Sequence, residues 1–151
     1  MITYRITRSA FKSDLSGNGA KLNGSRWNSK GQAMLFTAEH ISLATLEMLV
    51  HINFVEIPDS FHVLSIDLPE SSPQLEIKLS NLKSSWKNDE EYTAFMGDAF
   101  LRQNDALFLK VPSAVITDEH NYIINPGHKD FSKIRIVRSK PFTFDKRFFS
   151  I

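Results

Sequence analysis

Gly24-Ser25-Arg26-Trp27-Asn28-Ser29-Lys30-Gly31 opens the stretch on which the reading of this chain turns. It is polar and bracketed by glycines, yet it carries a large aromatic and an arginine. The apolar run Ala33-Met34-Leu35-Phe36 follows, and then a helical segment from about Ile41 to Ile52 with Glu47 in its middle. On a helical wheel Leu43, Leu46 and Val50 share one face, and Ile41, Met48 and Ile52 another. The polar stripes are narrow: Ser42 with Thr45, and His40 with Glu47 and His51. Such a helix is expected to be covered on most sides. Glu47 then points into a cleft, where a carboxylate needs a partner or a chemical task.

Outward from that stretch, 151 residues predict one domain, 1–151, with room for a real core. A formal net charge of +1 and no basic run argue against a dedicated nucleic-acid binder. The chain has no cysteine, which excludes disulfides, a thiolate nucleophile and cysteine-ligated metal. Met1-Ile2-Thr3-Tyr4-Arg5 does not read as a signal peptide, and no apolar run reaches membrane-spanning length, so a cytoplasmic protein without membrane contact is expected. Twelve phenylalanines point to an aromatic-rich core or a partner surface.

Ile2, Tyr4 and Ile6 alternate with Thr3, Arg5 and Thr7, the period of a half-exposed strand. Residues 9–23 read as a long polar loop with turns at Leu15-Ser16-Gly17-Asn18-Gly19. Strands are expected near Met34 to Thr37 and from His62 to Leu68, with a Pro58-containing connection from Phe54 to Ser60 between. Asp89-Glu90-Glu91 opens a second helix running to about Gln103, with Tyr92, Phe95, Met96 and Ala99 as its apolar face. Ala106 to Val111 reads as a strand stopped by Pro112, with Ser113 to Ile116 continuing extended. Asp118 to Asn121 reads as a turn, Tyr122-Ile123-Ile124 and Ile134 to Val137 as strands, and Phe142-Thr143-Phe144 as one more. Mixed strands around two principal helices define an α+β chain.

Several chemical signatures are missing. There is no Gly-x-Gly-x-x-Gly, no phosphate-binding P-loop and no nucleophile elbow around Ser113. The five histidines offer no zinc-protease pair, so no metal site is expected. What remains is Arg5, Arg26, Phe36, Glu47 and Ser113, each with a structural alternative. Arg26 can stack on an aromatic at the surface, Glu47 can pair with Arg26, Ser113 can satisfy backbone groups, and Phe36 can be core. Spacing alone leaves these alternatives open.

Four ordered blocks resemble the RES-domain family. They are Leu15 to Ala20 continuing into Gly24 to Gly31; Ile41-Ser42-Leu43-Ala44-Thr45-Leu46-Glu47-Met48-Leu49-Val50-His51; Val111-Pro112-Ser113-Ala114-Val115; and Asn121-Tyr122-Ile123-Ile124-Asn125-Pro126-Gly127-His128. The arginine, glutamate and serine that give the family its name fall on Arg26, Glu47 and Ser113. The resemblance implies the toxin half of a bacterial toxin–antitoxin pair and an ADP-ribosyltransferase-like fold. It implies NAD as substrate, with no tightly bound cofactor. It also implies an Xre-like antitoxin covering the active site, with DNA reached only through that antitoxin; a homodimer is left open. Where the family commonly has tyrosine before the helix, this chain has Phe36, which keeps the ring and loses the hydroxyl.

On this resemblance Glu47, Arg26 and Ser113 are the expected catalytic residues. Arg5, Arg26, Phe36, Ser113 and Asn125 are the expected substrate-binding set. Cleavage of the nicotinamide–ribose bond passes through an oxocarbenium-like cation that one carboxylate can stabilise. Nicotinamide leaves from a cationic state, so no paired general acid is needed. The diphosphate asks for fixed positive charge of the kind an arginine fork supplies. Phe36 is expected to wall the nicotinamide, and Ser113 to touch ribose or carboxamide. Two rival readings are transfer of ADP-ribose to a protein, and a binding module that keeps the fold without activity.

Overall fold

The computed structural model describes residues 1–52 and 60–149. The apolar runs form β1 (Ile2–Arg8), β2 (Leu35–Ala38), β3 (Phe61–Asp67), β4 (Gln74–Glu76), β5 (Phe108–Pro112), β6 (His120–Ile124) and β7 (Arg135–Phe142). The helices are α1 (Asn18–Asn23), α2 (Ile41–Leu49) and α3 (Glu90–Gln103). The strands make one seven-stranded sheet in the order β4-β5-β6-β2-β1-β3-β7. The β4–β5 pair is parallel and the other pairings are antiparallel. This is the expected α+β class with α2 and α3 as principal helices.

Cross-strand partners share a face, because side chains alternate along a strand. Leu35, Ile124 and Phe108 line up across β2, β6 and β5, and with Leu64, Ile66 and Ile134 they form the core on one side. On the other side, Phe36, Ile123 and Leu109 line up, as do Ala38, Asn121 and Val111. Two clusters cover that second face. Trp27, Trp86 and Phe100 pack over the β5–β6 half, and Leu43 and Ala44 of α2 join Ile6 and Phe144 over the β1–β3 half. The meeting line of the two clusters runs along β2 and β6.

The sheet is weakly joined beside that line, between β2 and β1. β1 registers with β2 at a single pair, Tyr4 with Ala38, whereas β1 registers with β3 from Ile2 to Arg8. Past that pair, a side chain fills the gap: Arg5 Nη1 donates to the Phe36 carbonyl at 3.3 Å.

Several expectations change. β1 is central, not half-exposed; Thr3 and Thr7 are buried and Ile2 is exposed. The polar loop contains a 3-10 turn at Ser9–Phe11 and then α1. α2 is not covered on most sides, for Ile41 and Val50 are exposed and Leu43 and Ala44 supply its buried face. α3 buries Thr93, Gly97 and Phe100, while Phe95 is 67% exposed. Gly97 explains that rotation: a Cβ there would stand 1.7 Å from the Trp27 carbonyl oxygen, so this stripe is where the chain's backbones meet. Ser113 to Ile116 turns instead of extending, β6 begins at His120 inside the expected turn, and β7 absorbs Phe142. The segment from Phe54 through Pro58 to Asp59 lies outside the described residues. Among the described residues, no helix is long and apolar enough to cross a membrane.

Candidate active site

The turn that carries Arg26 is built by its neighbours. Ser25 and Asn28 form a backbone bridge, and the buried Asn28 amide donates to the carbonyls of Ala20, Ser29 and Gln32. Trp27 is buried against Trp86, with ring centroids 6.2 Å apart. Thr93 Oγ1 in α3 donates to the Arg26 carbonyl. With its backbone held on both sides, Arg26 projects its guanidinium at 5.9 Å over Trp86, donates from Nη1 to the Lys87 carbonyl at 2.8 Å and faces Glu90 at 3.6 Å. The stacking alternative thus describes Arg26, but on Trp86 and not on its sequence neighbour.

Glu47 leaves α2 and reaches across to the loop after β5 and to the start of β6. Its Oε1 accepts from Ser113 Oγ at 2.7 Å and from Asn121 Nδ2 at 2.6 Å. Both donors converge on Oε1; Oε2 has none among the described residues. Pairing of Glu47 with Arg26 is therefore not what holds the carboxylate. Ser113 is buried, and its oxygen accepts from the backbone N–H groups of Val115 and Ile116, each at 3.0 Å. That turn, formed as the chain breaks at Pro112, is why the segment does not continue as a strand. The Ser113 N–H donates in turn to the Glu119 carbonyl, closing the loop ahead of Asn121.

Arg5 lies on the opposite face of β1 from Tyr4, as the alternation requires. Burial pushes its guanidinium pKa down, against the pull of Asp14. Its Nε is sealed from solvent with no hydrogen-bond partner among the described residues. An unpaired buried donor of this kind costs free energy and fits an absent acceptor. Phe36 is half-buried beside the cluster that holds Trp27 and Trp86.

Asn125 stands apart from this group. It lies just past the end of β6, four residues from Asn121 and about 13 Å away at strand rise. Its Nδ2 donates to Asn104 Oδ1 and its Oδ1 accepts from the Gly127 N–H, so its side chain ties the end of α3 to the turn after β6. Asn121, by contrast, was absent from the residues singled out in the sequence. It sat inside the fourth RES-like block, where nothing in the local pattern marks an asparagine that meets a carboxylate 74 positions away.

Glu39, His40 and Glu119 each bring a possible metal ligand atom within 4.8 Å of the others, a grouping the sequence reading did not anticipate. Glu39 is already engaged there, since its Oε1 accepts from the His120 N–H and its Oε2 lies 3.4 Å from His120 Nδ1. The trio also borders the N-terminus of α2, where the peptide dipoles oppose a cation.

A seven-stranded mixed sheet, joined between β1 and β2 at one registered pair and covered by α2 and α3 on one face, is the α+β fold on which these residues are placed. Comparison with solved structures agrees on the fold. The M. tuberculosis MbcT–MbcA toxin–antitoxin complex contains a chain that superposes with a TM-score of 0.76 at 16% identity, covering 94% of this chain and 84% of that one. The RES domain matches residues 2–145, and this chain belongs to the RES domain family. It is 40% identical to the protein named Toxin Res of Photorhabdus laumondii, over 97% of this chain and 96% of that one. It is 32% identical to the Prs ADP-ribosylating toxin of Sphingobium, over 89% of this chain and 86% of that one. By that membership and those relatives, the chain is a RES-type toxin with an ADP-ribosyltransferase-like fold.

Proposed function

We propose that this toxin acts by consuming NAD, cleaving the bond between nicotinamide and ribose. NAD and water would give nicotinamide, ADP-ribose and a proton; NAD and phosphate would give nicotinamide and ADP-ribose 1″-phosphate. The observation that carries the reading is Glu47, a half-buried carboxylate with Oε1 held by two donors and Oε2 given no donor by the described residues. A carboxylate oxygen fixed beside the sugar stabilises the positive charge that grows on C1 and O4 as nicotinamide departs. No general acid is required, because the leaving group gains neutrality as the bond breaks.

The other residues take roles that follow from their surroundings. Arg5, with a buried guanidinium and an orphaned Nε, supplies fixed charge for the diphosphate, and Arg26 supplies a second, outer cation. The Phe36 ring offers an apolar wall to nicotinamide. Its missing hydroxyl removes one hydrogen bond, about 0.5–1.5 kcal/mol, which lowers activity without abolishing it. Asn125 is committed elsewhere and is left out of the substrate set.

A second reading is transfer of ADP-ribose to a protein, favoured by the relative named as an ADP-ribosylating toxin. Both readings use the same first step and differ in the acceptor. The partner in the cell is an antitoxin of the Xre-like kind that covers the Glu47 cleft and carries any DNA contact, in keeping with a chain of net charge +1.

The test is NAD loss by the purified chain, with and without phosphate, beside Glu47→Ala. Loss that requires Glu47 supports the reading, and a phosphate-dependent rate with ADP-ribose 1″-phosphate as product identifies the acceptor. Intact NAD under both conditions overturns it.

A further inference from the structure

Two donors meet on one oxygen of Glu47, and the consequence for that carboxylate is directional. A carboxylate oxygen has two lone pairs; on Oε1 one takes the Ser113 hydroxyl proton and the other the Asn121 amide proton. Ser113 is itself saturated, since its one proton goes to Glu47 and its two lone pairs accept from Val115 and Ile116. It has nothing left to offer a ribose or a carboxamide, so its hydroxyl serves the carboxylate and not the substrate. Asn121 is seated for the same task from the sheet. It sits in β6 between its partners Ala38 of β2 and Val111 of β5, on the face that α2 crosses.

We propose that Asn121 is a positioning residue for the NAD-cleaving reaction: with Ser113 it pins Oε1 of Glu47 and so presents Oε2 alone to the sugar. The serine holds the carboxylate from a loop and the asparagine from a central strand, two independent supports for one rotamer. A charged acceptor shortens and strengthens such bonds, and 2.6 Å from an amide nitrogen is at that short end. Removing the amide leaves the carboxylate hinged on Ser113 and free to swing away from the reacting carbon. The effect belongs in turnover and not in substrate affinity, because the amide of Asn121 is spent on Glu47.

The experiment is steady-state NAD consumption by the purified chain and its Asn121→Ala, Asn121→Asp and Asn121→Ser variants, with melting temperature measured on each. Asn121→Ala is expected to lower kcat by about tenfold or more, with KM for NAD within about twofold of wild type. Asn121→Asp keeps the shape but faces a carboxylate with a carboxylate, so its kcat is expected to fall further; Asn121→Ser keeps a donor and is expected to recover part of the rate. A role in packing alone would spare the isosteric Asp variant and would track melting temperature. Wild-type kcat in Asn121→Asp, a rise in KM with kcat unchanged, or losses that follow melting temperature would each overturn the proposal. The proposal rests on the NAD reading. A wild-type chain inert toward NAD overturns both, whereas an active wild type indifferent to Asn121 overturns this one alone.

Discussion

Asn121 near the start of β6 and Asn125 just past its end spend their amides differently. Asn121 donates to Oε1 of the Glu47 carboxylate, whose other oxygen has no donor among the described residues. At the far end, Asn125 closes a circuit with Asn104 and the Gly127 N–H, in which every partner is part of the protein. Among the described residues, the Asn121 end leaves an acceptor unused on Glu47, and β1 holds an unused donor on Arg5. The other end is satisfied. Interiors that leave polar capacity open do so at a cost in stability, and the cost is best explained by something that arrives to use it.

That contrast can be broken in three places, taken from the largest expected effect to the smallest. Asn125→Ala should destabilise the fold by about 1–3 kcal/mol, because it removes two hydrogen bonds made by one buried side chain, yet leave kcat per folded molecule unchanged. Urea unfolding beside an NAD assay reads both; a fall in kcat at full folding would draw Asn125 into the site. Arg5→Met should do the reverse. It removes a desolvated charge and its orphaned donor, which offsets the lost bond to the Phe36 carbonyl, so stability should hold, while KM for NAD should climb about tenfold, or about 1.4 kcal/mol. A destabilised variant with normal KM would make Arg5 a structural cation. Phe36→Tyr is the mildest, expected to change kcat/KM by no more than about tenfold, upward, as the ring gains a hydrogen-bonding group at a half-buried position. A loss of activity there would place the Phe36 ring where no polar atom is tolerated.

The sequence was most informative where the physics is local. α3 is legible from both ends: Asp89 caps it by accepting from the Tyr92 N–H, and Asn104 ends it in the left-handed conformation at φ 53°. β2 and β3 follow from their apolar runs, and Glu47 stands out as the one carboxylate in an apolar helix. The resemblance to RES proteins, carried by ordered blocks, reached the family that the comparisons show.

Long-range geometry was not legible. Glu47 meets Ser113 and Asn121 across separations of 66 and 74 residues, and no local pattern encodes that meeting. The Asp118 to Asn121 segment carries turn-forming residue types, so its propensity hid the start of β6 and, with it, Asn121. Phe95 reads as core by type, but the contact of Gly97 with Trp27 sets the rotation of α3 and turns that ring outward. Ser113 follows proline and reads as extended by its neighbours, whereas its hydroxyl gathers two backbone N–H groups into a turn. In each case tertiary context outweighed residue type.

The most direct measurement is intracellular NAD and growth in cells expressing either the wild-type chain or Glu47→Gln, without antitoxin. Gln keeps the size of the side chain and removes the charge that would stabilise the oxocarbenium ion. NAD should collapse and growth stop with the wild type, and neither should happen with Glu47→Gln at equal expression. Growth arrest by Glu47→Gln with NAD intact would contradict the account, because toxicity would then need neither the carboxylate nor the cleavage it is placed to perform.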